Sequence, residues 1–503
     1  MKVPAVQSQP AMESPSRETA DRPGAGESSP GALRSPLLIA GVVCTAVAAL
    51  SALLPTVPSY DPWSWIVWGR EVVDPHLSFA VGGGPSWKPL PVVFTAVYGL
   101  FGGAGPTLWV ITARAGGLLA VVAAYRLAAR LVRGDSGAPS FAPIAAGLIA
   151  AACLLMTRFS FYDMFRGTSE PILLAASLWA IDCHLDGRRG SAFVLGVVAS
   201  LVRPEAWPFV IAYGGWLWFS APRLRALVAV GLVSIPLLWF VPPWIGSGQP
   251  LLAATHAKAY NGHLGSHPLL TVLSRGVDLQ TISVLLAGVL GVALAWRRRR
   301  DRVTLALAGG AAVWWVIVVG MTLDGYPGLE RFFLPAAAVT CVLAGVGVVR
   351  AAAIAGTGRD LTASLLVAVL GLLTLSAPVA LGRFDVASQK RTAARAVTRL
   401  HQLSGAVAAV GGHHGVYPCH TSFASVNHSV QTALAWQLHV TLGRVGTSMR
   451  HQGVMFVGPQ DSIDGVRPRL SPKLTQVQLI AHVGVWRVYR VIAPGANTRC
   501  VGG

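Results

Sequence analysis

Apolar and polar positions alternate along the chain in long blocks rather than in the short rhythm of a soluble domain. Leu37–Leu54, Thr107–Val132, Phe141–Thr157, Pro171–Leu185, Ala192–Val202, Ala206–Phe219, Leu227–Val241, Thr281–Trp296, Val303–Leu323, Phe332–Val349 and Leu361–Leu381 read as apolar helices separated by polar turns. A bilayer core of ~30 Å needs roughly 20 residues of helix, and the alternation predicts about eleven spans. Ala192–Val202 and Ala206–Phe219 form a hairpin cornered at Arg203-Pro204-Glu205. Leu90–Phe101 is apolar but too short to cross, so it reads as a re-entrant or interfacial helix.

Beyond the last span the rhythm changes. Gln389–Leu403 has the pattern of an amphipathic helix, Val407–Gly411 and Gly453–Val457 of buried strands, and Gln431–Leu438 of a helix between them. Val477–Val491 alternates about a central glycine, as a hairpin does. The expected organisation is a disordered tail at 1–33, a transmembrane domain at 34–381 and a small α/β domain at 382–503.

Charge gives the spans a direction. Arg126, Arg130 and Arg133, then Arg188-Arg189, Arg223 and Arg225, Arg297–Arg300, and Arg350 with Arg359 all fall on one side of the alternating count. Cationic loops stay in the cytoplasm, so the tail is expected inside and the C-terminal domain outside the cell membrane. Composition agrees: 53% of the 503 residues are hydrophobic and only 12% charged, and mean hydropathy is +0.56. The net charge of +19 is distributed over these loops, which argues against a nucleic-acid partner. Six cysteines are too few for a disulfide scaffold and show no zinc-type spacing. Cys419 and Cys500, the pair in the C-terminal domain, are the disulfide candidates.

The unusual residues gather at the outer ends of the spans. Tyr60–Pro91 follows the first span with Asp61, a run of tryptophans, Arg70 and Glu71, a triple glycine at Gly82–Gly84, and Lys88. Asp163, Arg166 and Glu170 stand in the second outer loop, Arg203 and Glu205 at the hairpin corner, Arg331 at the head of the tenth span, and Arg114 inside the second. Ionised groups at membrane depth need partners or a task. Arginine and lysine suit the oxygens of a phosphate, and a carboxylate suits proton removal from a hydroxyl. Asp61, fixed by the span before it, is the candidate base; the others, with His256 and Lys258 of the stretch 242–279, are candidate substrate contacts. Eight histidines of the C-terminal domain, among them His413, His414 and His439, lack the spacing of a metal site.

The order of a first span, an outer-loop aspartate (Asp61), Trp87-Lys88-Pro89-Leu90-Pro91, Leu100-Phe101-Gly102 and a span containing Arg114 resembles the GT-C glycosyltransferases. The similarity is to the branch with the protein O-mannosyltransferases and lipid A aminoarabinose transferases. Leu201–Pro208 and Gly328–Ala336 are similar to features found more widely in polyprenyl-sugar-dependent transferases. The resemblance implies a polytopic helical fold and inverting transfer of a mannose- or arabinose-like sugar from a polyprenyl phosphate to an envelope glycan, lipid or protein. It implies Asp61 as base and Lys88 and Arg331 as phosphate contacts, and it leaves a divalent metal, Mg or Mn, open. Asp61 is followed by Pro62 rather than a second acid, which departs from a paired-acid pattern. The Arg- and Ala-rich composition resembles that of an actinobacterial protein. A transporter or flippase, or a non-catalytic membrane scaffold, is the competing reading. A transporter is expected to show internal repeats, and none is visible.

Overall fold

A computed structural model describes residues 36–135, 140–259, 264–298, 301–355, 359–383, 386–474, 476–493 and 500. The tail expected at 1–33 lies outside the described residues. The chain opens with α1 (Pro36–Leu50), α2 (Tyr60–Val73), α3 (Pro89–Gly99), α4 (Gly105–Arg133), α5 (Ala142–Leu155), α6 (Ser160–Arg166) and α7 (Glu170–Leu185). It continues through α8 (Arg189–Val202), α9 (Trp207–Ser220), α10 (Arg225–Ser247), α11 (Leu252–Ala259) and α12 (Pro268–Val277). The last helices of the bundle are α13 (Ile282–Arg297), α14 (Arg302–Leu323), α15 (Leu334–Ala355) and α16 (Arg359–Arg383).

Among the described residues, 5 helices are individually long and apolar enough to cross a membrane, and up to 7 when two bent pairs, α5 with α6 and α12 with α13, each count as one span. That is fewer than the eleven expected. The difference lies partly in α7, α8 and α9, whose 16, 14 and 14 residues extend only about 21–24 Å at a rise of ~1.5 Å per residue. The stretch 242–279, expected as a loop, continues α10 to Ser247 and then holds α11 and α12.

Helix α15 is the axis of the bundle. A Cβ at Gly345 would stand 2.3 Å from the Ala146 carbonyl oxygen of α5, and one at Gly347 would stand 2.2 Å from that of Ala287 on α13. The backbones therefore touch where side chains are absent, as small residues allow in apolar bundles. At one end of the bundle the arginines of the basic turns are paired. Arg126 meets Asp182 at 2.9 Å, Arg130 bridges Asp182 and Asp186, and Arg350 holds Asp135 at 2.9 Å and Asp301 at 2.5 Å. The length of α7, about 24 Å, separates these pairs from Glu170 at its other end.

The C-terminal part begins with α17 (Val386–Ala409) and α18 (Gly412–Val416), and then β1 (Phe423–Ser425) and α19 (Gln431–Gln437). The strands β2 (Val445–Gly446), β3 (Ser448–Met449), β4 (Gly453–Val457), β5 (Arg469–Leu470), β6 (Gln476–Val483) and β7 (Trp486–Ile492) follow. Its main sheet has the order β2-β1-β4-β7-β6. β1 runs parallel to β2 and β4, and β7 antiparallel to β4 and β6. Gly484, at φ 56°, makes the β6–β7 turn in the left-handed region. The strand expected at 407–411 is instead the last turn of α17 and the residues after it. Leu403, Ala406, Val407 and Val410 are buried at helical spacing, so the amphipathic stripe runs on past Leu403 and the period of 3.6 prevails. Cys419 and Cys500 form a disulfide with Cα atoms 5.0 Å apart.

Candidate active site

Two lysine/arginine–proline pairs aim the cations of the site. A residue before proline is held out of the helical region by the proline ring. Lys88, before Pro89 at the head of α3, is extended at φ −137°, ψ 117°. Arg203, before Pro204 at the foot of α8, is extended at φ −144°, ψ 130°. Each side chain leaves its helix line and turns inward. Arg331 belongs to a 3-10 turn, Glu330–Phe333, that leads into α15. These three cations converge on Glu170 in the first turn of α7.

A single oxygen, Glu170 Oε1, receives Arg203 Nη2 at 2.6 Å, Lys88 Nζ at 3.5 Å and Arg331 Nε at 4.0 Å. Lys88 Nζ also donates to Ser169 Oγ at 2.7 Å and lies over the Trp65 ring, and Arg203 lies 4.2 Å over Phe332. Arg203 Nη1 reaches Glu205 Oε1 at 3.4 Å. Arg331 Nη1 turns the other way, donating to Asp61 Oδ2 at 3.3 Å. Asp61 is the accessible carboxylate of the set: its side chain is 24% exposed against 1% for Glu170. It sits in the first turn of α2, which Trp65 and Trp68 bury into the bundle. Burial pushes the Lys88 ammonium down to about 8.

Polar atoms remain over after these contacts. Glu170 Oε2, Glu205 Oε2, Asp163 Oδ2, Arg203 Nε and Arg331 Nε are buried and have no hydrogen-bond partner among the described residues. Buried groups of this kind ordinarily find partners, so the cluster is built to meet further polar atoms. Asp163, on α6, also borders an apolar cleft lined by Gly117, Ala120, Val121, Leu154 and Leu174. The apolar cleft and the charged cluster are thus neighbours.

The structure brings Asp61, Lys88, Asp163, Glu170, Arg203, Glu205 and Arg331 together, and it places the other candidates elsewhere. Arg70 donates to the carbonyls of Trp436 (2.9 Å), Val440 (3.1 Å) and Ala435 (3.3 Å) and stacks over Trp436 at 4.5 Å. Glu71 accepts from the amides of Ala80 (3.0 Å) and Leu442 (3.2 Å). Both residues therefore fasten the C-terminal part onto α2 and are not free for substrate. Arg114 holds the carbonyl and hydroxyl of Ser51 at 2.7 and 3.0 Å, closing the turn after α1. His256 Nδ1 lies 3.4 Å from the Pro85 carbonyl. Lys258 makes an exposed pair with Asp324. Arg166 stands at the far end of α6, in a different cleft.

Ser169, Trp65 and Phe332 join the site beside the charged candidates. Ser169 carries a signal in retrospect, as the residue before the Glu170-Pro171 helix start, where a hydroxyl can meet a neighbouring cation. Among the described residues no three His, Cys, Asp or Glu side chains are placed to share a metal ion. The carboxylates here face lysine and arginine, and the donor set does not suit Mg or Mn.

No family model matches the chain, and no curated protein matches it. It is similar to the crystal structure of ArnT from Cupriavidus metallidurans bound to undecaprenyl phosphate, with a TM-score of 0.46 and 15% identity over 90% of this chain and 97% of that one. For the apo state of ArnT from Cupriavidus metallidurans the TM-score is 0.49, with 15% identity over 92% and 98% of the two chains.

Proposed function

We propose that the protein is an integral membrane glycosyltransferase of the inverting type. It moves a mannose- or arabinose-like sugar from a polyprenyl-phosphate donor to an envelope glycan, lipid or protein at the outer face of the cell membrane. The observation that carries this reading is the convergence of three cations on one buried glutamate, with an accessible aspartate on the Arg331 side. A donor with a phosphate head and a hydrocarbon tail matches that cluster and the apolar cleft beside it.

The chemistry follows from the placement. Asp61 takes the proton from the acceptor hydroxyl as its oxygen attacks the anomeric carbon. The bond from that carbon to the phosphate oxygen breaks, and the electron pair leaves with the polyprenyl phosphate. Lys88, Arg203 and Arg331 stabilise the charge growing on the phosphate. Glu170 keeps the three cations close together before the donor arrives, so little rearrangement is needed during reaction. One displacement at one carbon inverts its configuration.

Purified protein in nanodiscs, supplied with radiolabelled polyprenyl-phosphate mannose and polyprenyl-phosphate arabinose, tests the reading. Release or transfer of sugar by the wild type, reduced about 10²–10⁴-fold in Asp61→Ala, supports it. Equal activity in both removes Asp61 from the mechanism. No turnover and no binding of either lipid points to a transporter or scaffold instead.

A further inference from the structure

A second cleft lies where α6 and the chain before α2 meet the C-terminal part. Val57, Ser59, Trp63, Arg166, Val430 and Asp464 are among the residues that line it. The backbone at its edge is fixed, because the Ser59 amide and hydroxyl both donate to the Arg166 carbonyl, at 2.9 and 3.2 Å. The Arg166 side chain is less well provided for. Its Nε and Nη1 are buried and have no hydrogen-bond partner among the described residues. Asp464, which also lines the cleft, is fully buried. Its Oδ2 meets Arg399 Nη1 at 2.9 Å, while Oδ1 has no hydrogen-bond partner among the described residues. The lining therefore combines unpartnered donors of Arg166 and an unpartnered acceptor of Asp464 with the apolar surface of Trp63, Val57 and Val430.

The charge here balances. Arg166, Arg399 and Asp464 line the cleft, and Asp461 beyond the lining supplies the second acid, with Arg399 paired to both aspartates. An anionic or cationic guest would break that balance, whereas a neutral guest that both donates and accepts would satisfy Arg166 and Asp464 together. Burial also pushes the Asp464 carboxyl up to about 6, so an added hydroxyl donor would relieve a group that now lacks one. A sugar edge has this chemistry: neighbouring hydroxyls that donate and accept, and C–H faces that pack on an indole.

We propose that this cleft is a saccharide subsite, in which Arg166 and Asp464 Oδ1 hold the hydroxyls of a neutral sugar of the acceptor, beside Trp63. The inference rests on the transferase reading for its biological role, and it makes the acceptor a glycan rather than a peptide. The donor cluster and this subsite use different residues, so they can be tested apart.

Full-length protein in nanodiscs is irradiated with diazirine-bearing methyl α-mannoside or methyl α-arabinofuranoside, and labelled peptides are sequenced by mass spectrometry. Binding of radiolabelled decaprenyl phosphate is measured in parallel. The expected result is labelling of peptides spanning residues 57–63, 429–433 or 463–464, reduced at least tenfold by Arg166→Met and by Ala396→Leu, which narrows the cleft. Competition by the unmodified glycoside on the wild type gives the same answer if a variant fails to fold. Labelling that ignores Arg166→Met or resists competition overturns the inference, as does preferential labelling by a serine-bearing photopeptide. So does wild type that binds decaprenyl phosphate but takes no saccharide label, an outcome that leaves the transferase reading standing. Failure to bind the lipid phosphate sinks that reading whatever the labelling shows.

Discussion

Glu170 carries three cations on one oxygen, which makes it the residue whose change should be felt most widely. Removing one partner of a buried ion pair leaves uncompensated charge and costs about 3–5 kcal/mol. Glu170→Gln keeps the shape and removes the charge, so Lys88, Arg203 and Arg331 would repel one another. We expect a lower unfolding temperature, partly restored by saturating polyprenyl phosphate, read by differential scanning fluorimetry with and without the lipid. Lys88 gives a pH signature. Its ammonium, held down to about 8 by burial, is charged below that value and neutral above it. Affinity for polyprenyl phosphate should therefore fall as pH rises through about 8, and Lys88→Arg should flatten the curve, since guanidinium stays charged. Lipid-phosphate binding measured from pH 6.5 to 9.5 decides the matter. Lys88 and Arg203 were legible from sequence as charges at the outer ends of apolar segments, where an ionised group needs a partner or a task. Arg70 and Glu71 were not. The carbonyls that Arg70 meets and one of the two amides that Glu71 meets lie more than 360 residues away, and a carbonyl or amide looks the same at every position in a sequence.

Helices show where periodicity informs and where it stops. The apolar blocks marked most helices of the bundle, but α7, α8 and α9 are shorter than a bilayer core, a shortness already present in the blocks that marked them. The mistaken strand at 407–411 came from a short apolar run at the end of an amphipathic helix, where periods of 2 and 3.6 are hard to tell apart. Helix α2 makes the testable case at this scale. Its Arg70 satisfies three carbonyls of the segment around α19, and each carbonyl left unpaired costs about 1–3 kcal/mol. In Arg70→Met, amide hydrogen exchange over residues 431–442 should quicken on the order of 30-fold, equivalent to ~2 kcal/mol. The helices of the bundle should keep their protection. Uniform loss of protection would mean that α2 supports the bundle itself.

Taken whole, the molecule joins an apolar bundle to a small mixed sheet, and the disulfide belongs to the second. Cys419 and Cys500 are 81 positions apart, and removing a cross-link over such a loop costs about 2–5 kcal/mol. The double variant Cys419→Ala/Cys500→Ala should unfold its C-terminal part at lower temperature while far-ultraviolet circular dichroism of the bundle is retained. A single unchanged transition would refute the link. The pairing was open from sequence because two cysteines alone say nothing about distance.

The contacts of Tyr60 and Glu71 with residues 371 positions later also set an order of events during synthesis. Helix α2 emerges near the start of translation, yet the part of its cover that comes from the C-terminal segment is made only after the whole bundle. Long-range contacts of this kind form slowly, because a long loop must close before they are rewarded. For most of its biosynthesis the chain therefore carries α2, with Asp61 in its first turn, without this C-terminal cover. The cleft between α6 and the C-terminal part takes its final shape only when the last part of the chain folds onto one of the first.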